Sequence, residues 1–247
     1  ESGYQLAGKE GEIEEYVLKM ENLPERRFLS SLIKKKNAGP ADLSLAAVQL
    51  ANIHADSGMS VREGETGKAE RFQALCDDML YQMKRYFDPS ITQPIIDMIR
   101  HPLDKFIHSK SNVFGKRLRK GRVVQGHGAL LPEHIHIQGE TVRFLSPHEV
   151  YKKYSVLDAA HDVATLMVEL IVANEKELAD HFLQKYKEAS KDKDLESILP
   201  AYQTYCALKH GVLTCERKVA LQDESLGPVA LEYFNLATRF SRTISKD

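Results

Sequence analysis

Residues 156–173 are apolar almost all round any helix they could form. A helix with no polar face cannot lie on a surface, so this stretch predicts a central helix wrapped by the rest of the fold. It falls short of the ~20 apolar residues that cross a bilayer, and no other run approaches that length. Asp158 and Asp162 interrupt it four residues apart, and an Asp in such a helix needs partners.

Around this stretch the chain reads as mainly α, in an α+β arrangement. Residues 24–36 open with Pro24 and end in three lysines, which suit a helix C-terminus. Residues 41–55 repeat Leu43, Ala46, Ala47, Leu50, Ala51 and His54 at helical spacing. Residues 68–87 and 94–119 read as helical, with breaks expected at Asp88-Pro89 and His101-Pro102. Residues 175–190, 194–217 and 225–241 read as three more helices. Ser155 with Asp158, and Asn174 with Glu177, have capping-box spacing. Residues 4–20 read as a hairpin turned at residues 8–11. Between the helices lies a strand cluster at 121–146: Val123-Val124, residues 134–137, and residues 141–145 after the turn Gln138-Gly139-Glu140.

Charge excludes some functions. With 34 basic and 35 acidic residues in 247, the net charge is -1, which favours neither nucleic acid nor an acidic membrane. Cys76, Cys206 and Cys215 follow no disulfide pattern, so core thiols in a reducing, cytoplasmic compartment are expected. The chain begins at Glu1, and a piece of a longer protein is the expectation.

The segment His127-Gly128-Ala129-Leu130-Leu131-Pro132-Glu133-His134 carries the most information. Strand, turn and strand follow it up to Ser146, and then Asp158-Ala159-Ala160-His161-Asp162-Val163-Ala164. Before it stands Arg117-Leu118-Arg119-Lys120-Gly121-Arg122-Val123, and earlier still Tyr16, Met20, Leu23 and Pro24 in a Y-x-x-x-M-x-x-L-P spacing. The order resembles kinase-like phosphotransferases of the aminoglycoside phosphotransferase type. It is similar above all to a bacterial subfamily often fused to a P-loop ATPase half. That resemblance runs from about Glu12 to Cys215.

The resemblance implies a protein-kinase-like large lobe over 24–247, with a residual small-lobe hairpin and hinge over 1–23. It also implies degenerate chemistry. In the family's H-G-D-x-x-x-x-N pattern, the Asp serves the acceptor hydroxyl, while the Asn and a strand-end Asp hold Mg²⁺. Ala129, His134 and Ser146 stand at those positions. Alanine takes no proton, and loss of a general base alone costs about 10²–10⁴ in rate. Serine and imidazole are poor partners for a hard, oxygen-seeking cation. No G-x-x-x-x-G-K-[ST] motif is present. Lys19 falls on the hinge strand and is given no nucleotide role. His127, Asp158 and Asp162 are then structural anchors of the loop, with Asp162 bonded to the backbone of 127–129 and Asp158 capping its own helix.

The leading expectation is therefore a catalytically inactive, kinase-like interaction or scaffold module that needs no cofactor. Its partner would be another protein, a second copy, or another segment of a longer chain, on apolar surface around Leu18, Met20 and residues 127–137. The first alternative is an active ATP- and Mg²⁺-dependent small-molecule kinase with atypical residues, with Glu133 as a substitute base. The second is a metal-binding protein built on His127, His134, His136, His148 and His161, with His134 and His136 sharing a strand face. Asp158 and Asp162 could also form an acid–base pair on one helix face. The basic run 116–122 is read as a solvated helix end rather than a phosphate or nucleic-acid grip, and His54 as a packing residue.

Overall fold

The computed structural model describes residues 16, 22–57, 68–86, 92–145 and 156–244. The hairpin expected over 4–20 therefore lies outside the described residues except for Tyr16. So do Leu18, Met20, Ser146, His148 and Ser155.

The described chain is mainly helical. After a 3-10 turn at Glu25–Arg27 come α1 (Leu29–Lys34), α2 (Pro40–Asp56), α3 (Ala69–Met83), α4 (Gln93–Ser109) and α5 (Ser111–Arg119). Four short strands follow: β1 (Val123–Gln125), β2 (Ile135–Gln138), β3 (Thr141–Phe144) and β4 (Val156–Asp158). Helices α6 (Ala160–Val172), α7 (Lys176–Ser190), α8 (Leu199–Leu221) and α9 (Leu226–Ile244) complete it. None of these helices is long and apolar enough to cross a membrane.

Helix α6 is the axis of the fold. Ten of its residues are buried, including Val163, Ala164, Leu166, Val168 and Leu170. It packs on α7 and α8; α2 lies along α7, and α9 along α8. Helix α2 starts where the sequence directs it. Pro40 fits a first turn that needs no N–H, and the Gly39 amide donates to Asp42 Oδ2 at 2.9 Å. At the α8–α9 crossing a β-carbon on Gly211 would stand 2.5 Å from Phe234 Cε1, so this close approach requires glycine.

Several sequence expectations change. The central stretch does not start as a helix: Val156–Asp158 is a strand, antiparallel to β1 with Val123 opposite Asp158 and Gln125 opposite Val156. The strands thus form two separate pairs, β1–β4 and β2–β3, and the first reaches beyond the 121–146 cluster. The β2–β3 hairpin turns at Gly139, whose φ is 59°. Asn174 does not cap α7, which begins at Lys176 after Glu175; with φ 61° it closes the C-terminus of α6, its amide on the Ile171 carbonyl. Residues 94–119 break at Lys110, not at Pro102, which sits inside α4. Proline deprives the Met98 carbonyl of its helical donor. That carbonyl instead accepts from Ser241 Oγ of α9 at 3.3 Å. The apolar surface expected around 127–137 is largely closed, with Leu130, Ile135 and Ile137 buried. Phe28 bridges to β2 and sets its ring edge-on to His136, 5.1 Å between centroids.

Candidate functional site

Strand β1 delivers the chain to Gly126, and the loop 127–131 then wraps over the first turn of α6. Asp162 projects from that turn into the loop. Its Oδ2 accepts from the His127 amide at 2.6 Å, and its Oδ1 from the Gly128 amide at 2.8 Å. Gly128 adopts φ 77°, a conformation open to glycine, and so turns its N–H inward. A β-carbon on Gly126 would collide with the same carboxylate. The loop is fixed by one buried acid on a rigid helix.

A third donor reaches Asp162 from α2. His54 Nε2 lies 3.2 Å from Oδ2, and His54 Nδ1 lies 2.8 Å from Tyr186 Oη on α7. Nε2–H donates to the carboxylate, so Nδ1 accepts from the tyrosine hydroxyl. Burial raises the Tyr186 pKa and keeps that hydroxyl protonated. Burial alone would raise the Asp162 carboxyl as well. The adjacent His161 ring and the hydrogen bond from His54 outweigh it and hold the acid well below the usual carboxylate range. The two loop amides act in the same direction. His161 Nδ1 lies 3.5 Å from Oδ1, and burial lowers its pKa.

The outer side of the loop is tied to itself. His127 Nε2 donates to the Leu145 carbonyl at 2.9 Å, and its Nδ1 accepts from the Ala129 amide at 3.4 Å. This is the neutral ring, consistent with a pKa lowered by burial. His134 folds back and donates from Nδ1 to the Ala129 carbonyl at 2.8 Å, its ring stacked 5.5 Å from that of His127. Lys209 of α8 donates to the Gly128 carbonyl at 3.3 Å, and burial lowers its pKa. Ala129 brings no functional group to the centre of this loop.

Asp158 stands elsewhere. It does not reach the loop, and it precedes α6 rather than lying in it. It accepts from the Ala160 amide at 2.8 Å, which is a cap contact. Its main partner is Arg117, which donates from Nε at 2.6 Å and from Nη2 at 2.8 Å. Arg117 also donates to both oxygens of Asp192, at 3.1 and 2.9 Å, and is fully buried. The basic run is thus not a uniformly solvated helix end. Asp158 and Asp162 face different partners and make no acid–base pair.

The described histidines of the five do not come together as a metal site; His148 lies outside the described residues. His134 lies in the 3-10 turn Pro132–His134 rather than on the strand, while His136 is buried on β2. Among the described residues no three His, Cys, Asp or Glu side chains are gathered to hold a metal ion. Glu133 is exposed on the same 3-10 turn. The three cysteines are free and buried. Sequence reasoning missed Tyr186 and Lys209, and the polar partners of His54 and Arg117. A signal existed for His54: it shares the buried face of α2 with Leu43, Ala47 and Leu50, where a polar ring must find a partner.

The chain is similar to an uncharacterized protein of Mycobacterium tuberculosis and to one of Mycobacterium bovis. It is 26% identical to each over 215 residues, 86% of this chain and 43% of theirs. It thus spans less than half the length of these relatives. No protein-family profile matches it.

Proposed function

We propose that this chain is a kinase-like large lobe that no longer transfers phosphate and acts as a cytoplasmic binding module. One observation carries the reading. The 127–131 loop is fastened by Asp162 as a catalytic loop would be, yet the groups it offers are spent or absent. Ala129 replaces the base, and His134 is committed to the Ala129 carbonyl. The third degenerate position, Ser146, supports it from sequence alone. Phosphoryl transfer depends on a positioned acceptor and metal-bridged phosphates, and these residues supply neither.

The partner proposed is another protein or another segment of a longer chain. The length of the mycobacterial relatives favours the second, since more than half of each lies outside the matched region. Purified protein should neither hydrolyse ATP with Mg²⁺ nor gain thermal stability from the pair. Ala129→Asp should leave both results unchanged. Mg²⁺-dependent hydrolysis that survives successive columns and disappears in Asp162→Ala would overturn the proposal.

A further inference from the structure

The basic run 116–122 meets a second basic segment, 187–193, at the C-terminal end of α7. Lys116 and Lys120 both pair with Asp194. Arg117 engages Asp192, and Arg122 Nη2 donates to the Ser190 carbonyl at 3.3 Å. In this cluster four cations, Lys116, Arg117, Lys120 and Arg122, face three carboxylates, Asp158, Asp192 and Asp194. The balance is one positive charge.

A cleft of about 560 Å³ opens beside the cluster, between the C-terminal ends of α2 and α7. It is lined by Lys120, Gly121 and Arg122, by the buried His54 and Tyr186, and by small residues including Ala55 and Ala189. No carboxylate lines it among the described residues. Arg122 is held at both ends of its backbone, its N–H on the Arg117 carbonyl and its own carbonyl on the Ala159 amide. Its Nε is buried and has no hydrogen-bond acceptor among the described residues; Asp192 Oδ2 lies 3.7 Å away. The guanidinium is thus held in place by Asp192 and the Ser190 carbonyl, while 28% of the Arg122 side chain stays exposed and open to an anionic oxygen.

The geometry points to this cleft as a binding site for a small phosphate-bearing molecule, gripped by Arg122 and Lys120. Neither Asp162 nor any residue of the 127–131 loop lines the site, and it does not depend on whether that loop is catalytic. Arg122 supplies a forked donor, the half-exposed Lys120 beside Asp194 a second charge, and the alanines leave room for a compact ligand. The lining touches the loop's own fastening, since His54 bonds both Tyr186 and Asp162.

Inorganic pyrophosphate titrated calorimetrically into the 247-residue chain, at ionic strength held constant with sodium chloride, tests the inference. Saturable binding is expected, with the His54 ring signals shifting in proportion in NMR spectra. Arg122→Gln should weaken it about tenfold or more, the effect of one lost charge-assisted contact. Ala55→Phe should abolish it by filling the cleft, and Ala189→Leu serves the same purpose if that variant misfolds. Absence of saturable binding overturns the proposal, as does binding that survives both a filled cleft and Arg122→Gln. Retention of a short single-stranded oligonucleotide without any response to pyrophosphate also overturns it, in favour of a nucleic-acid surface.

Discussion

Gly126 and Asp162 approach so closely that a β-carbon at the glycine would stand 2.5 Å from Asp162 Oδ2 and 3.3 Å from its Cγ. The obstacle is a carboxylate already bonded to two amides and a histidine, so it cannot swing aside. Gly126→Ala should destabilise the protein by about 1–3 kcal/mol through overpacking. Gly115→Ala is the control. Its β-carbon would meet only the end of the exposed Arg119 side chain, at 3.4 Å. Alanine inside α5 should stabilise by up to ~1 kcal/mol. Urea denaturation of the two variants should move in opposite directions.

Asp162→Ala removes the acceptor of two backbone amides and His54. Each buried donor left unpaired costs ~1–3 kcal/mol, so a loss of several kcal/mol is expected. Asp162→Asn keeps one acceptor oxygen and should fall between the alanine variant and wild type. A neutral result for Asp162→Ala in chemical denaturation would remove the acid as the anchor of the loop.

Asp158, read from sequence as a helix cap, would cost about 1 kcal/mol on replacement by alanine. Its bidentate bond to a fully buried Arg117 raises that expectation. Breaking one side of a buried ion pair costs about 3–5 kcal/mol, because a charge is left uncompensated. Arg117→Met should show a loss of that size. Combining it with Asp158→Asn and Asp192→Asn should recover most of it. Equal stability of the single and triple variants would contradict the pairing.

Acid should weaken the fold in two stages. Burial lowers the pKa of His127 and His161 below the ordinary histidine value. The unfolded chain therefore binds their protons first, and stability falls as pH drops below about 6.5. Asp162 and Glu169 are held below the ordinary carboxylate range; burial opposes this, and their neighbouring histidines, His161 and His54 for the first and His210 for the second, outweigh it. Their stabilisation is present above about pH 4 and lost below it, when the unfolded chain takes up protons before the folded one. Unfolding free energy measured against pH should show both limbs, and His161→Gln should flatten the first.

Most helices were legible because their buried faces repeat at helical spacing, as in Leu43–Ala47–Leu50–His54 of α2. The start of α6 was not. Val156 and Leu157 are apolar on either reading, and only pairing with Val124 and Gln125, far away in sequence, makes them strand. Pro102 misled because its cost is met by Ser241, on a helix whose position no local rule contains. Arg117 sat in a run of cations whose chemistry looked uniform. Its burial comes from Asp158 and Asp192, each reached from a different segment. Asp162 was the readable part of the site, since an acid in an apolar helix demands donors. That His54 of α2 joined it, with Tyr186 of α7 behind the ring, depended on packing.

The inward direction of the His127 and Gly128 amides has a kinetic consequence. Loops that cradle phosphate keep such amides turned toward the ligand. Here both are shielded by Asp162 and can meet solvent deuterium only when the loop leaves α6. Their exchange should be slow and governed by large openings of the fold rather than by local fraying. A surface that does not fray surrenders little backbone entropy when something docks on it, so the ordering cost of any complex formed there falls on the incoming molecule.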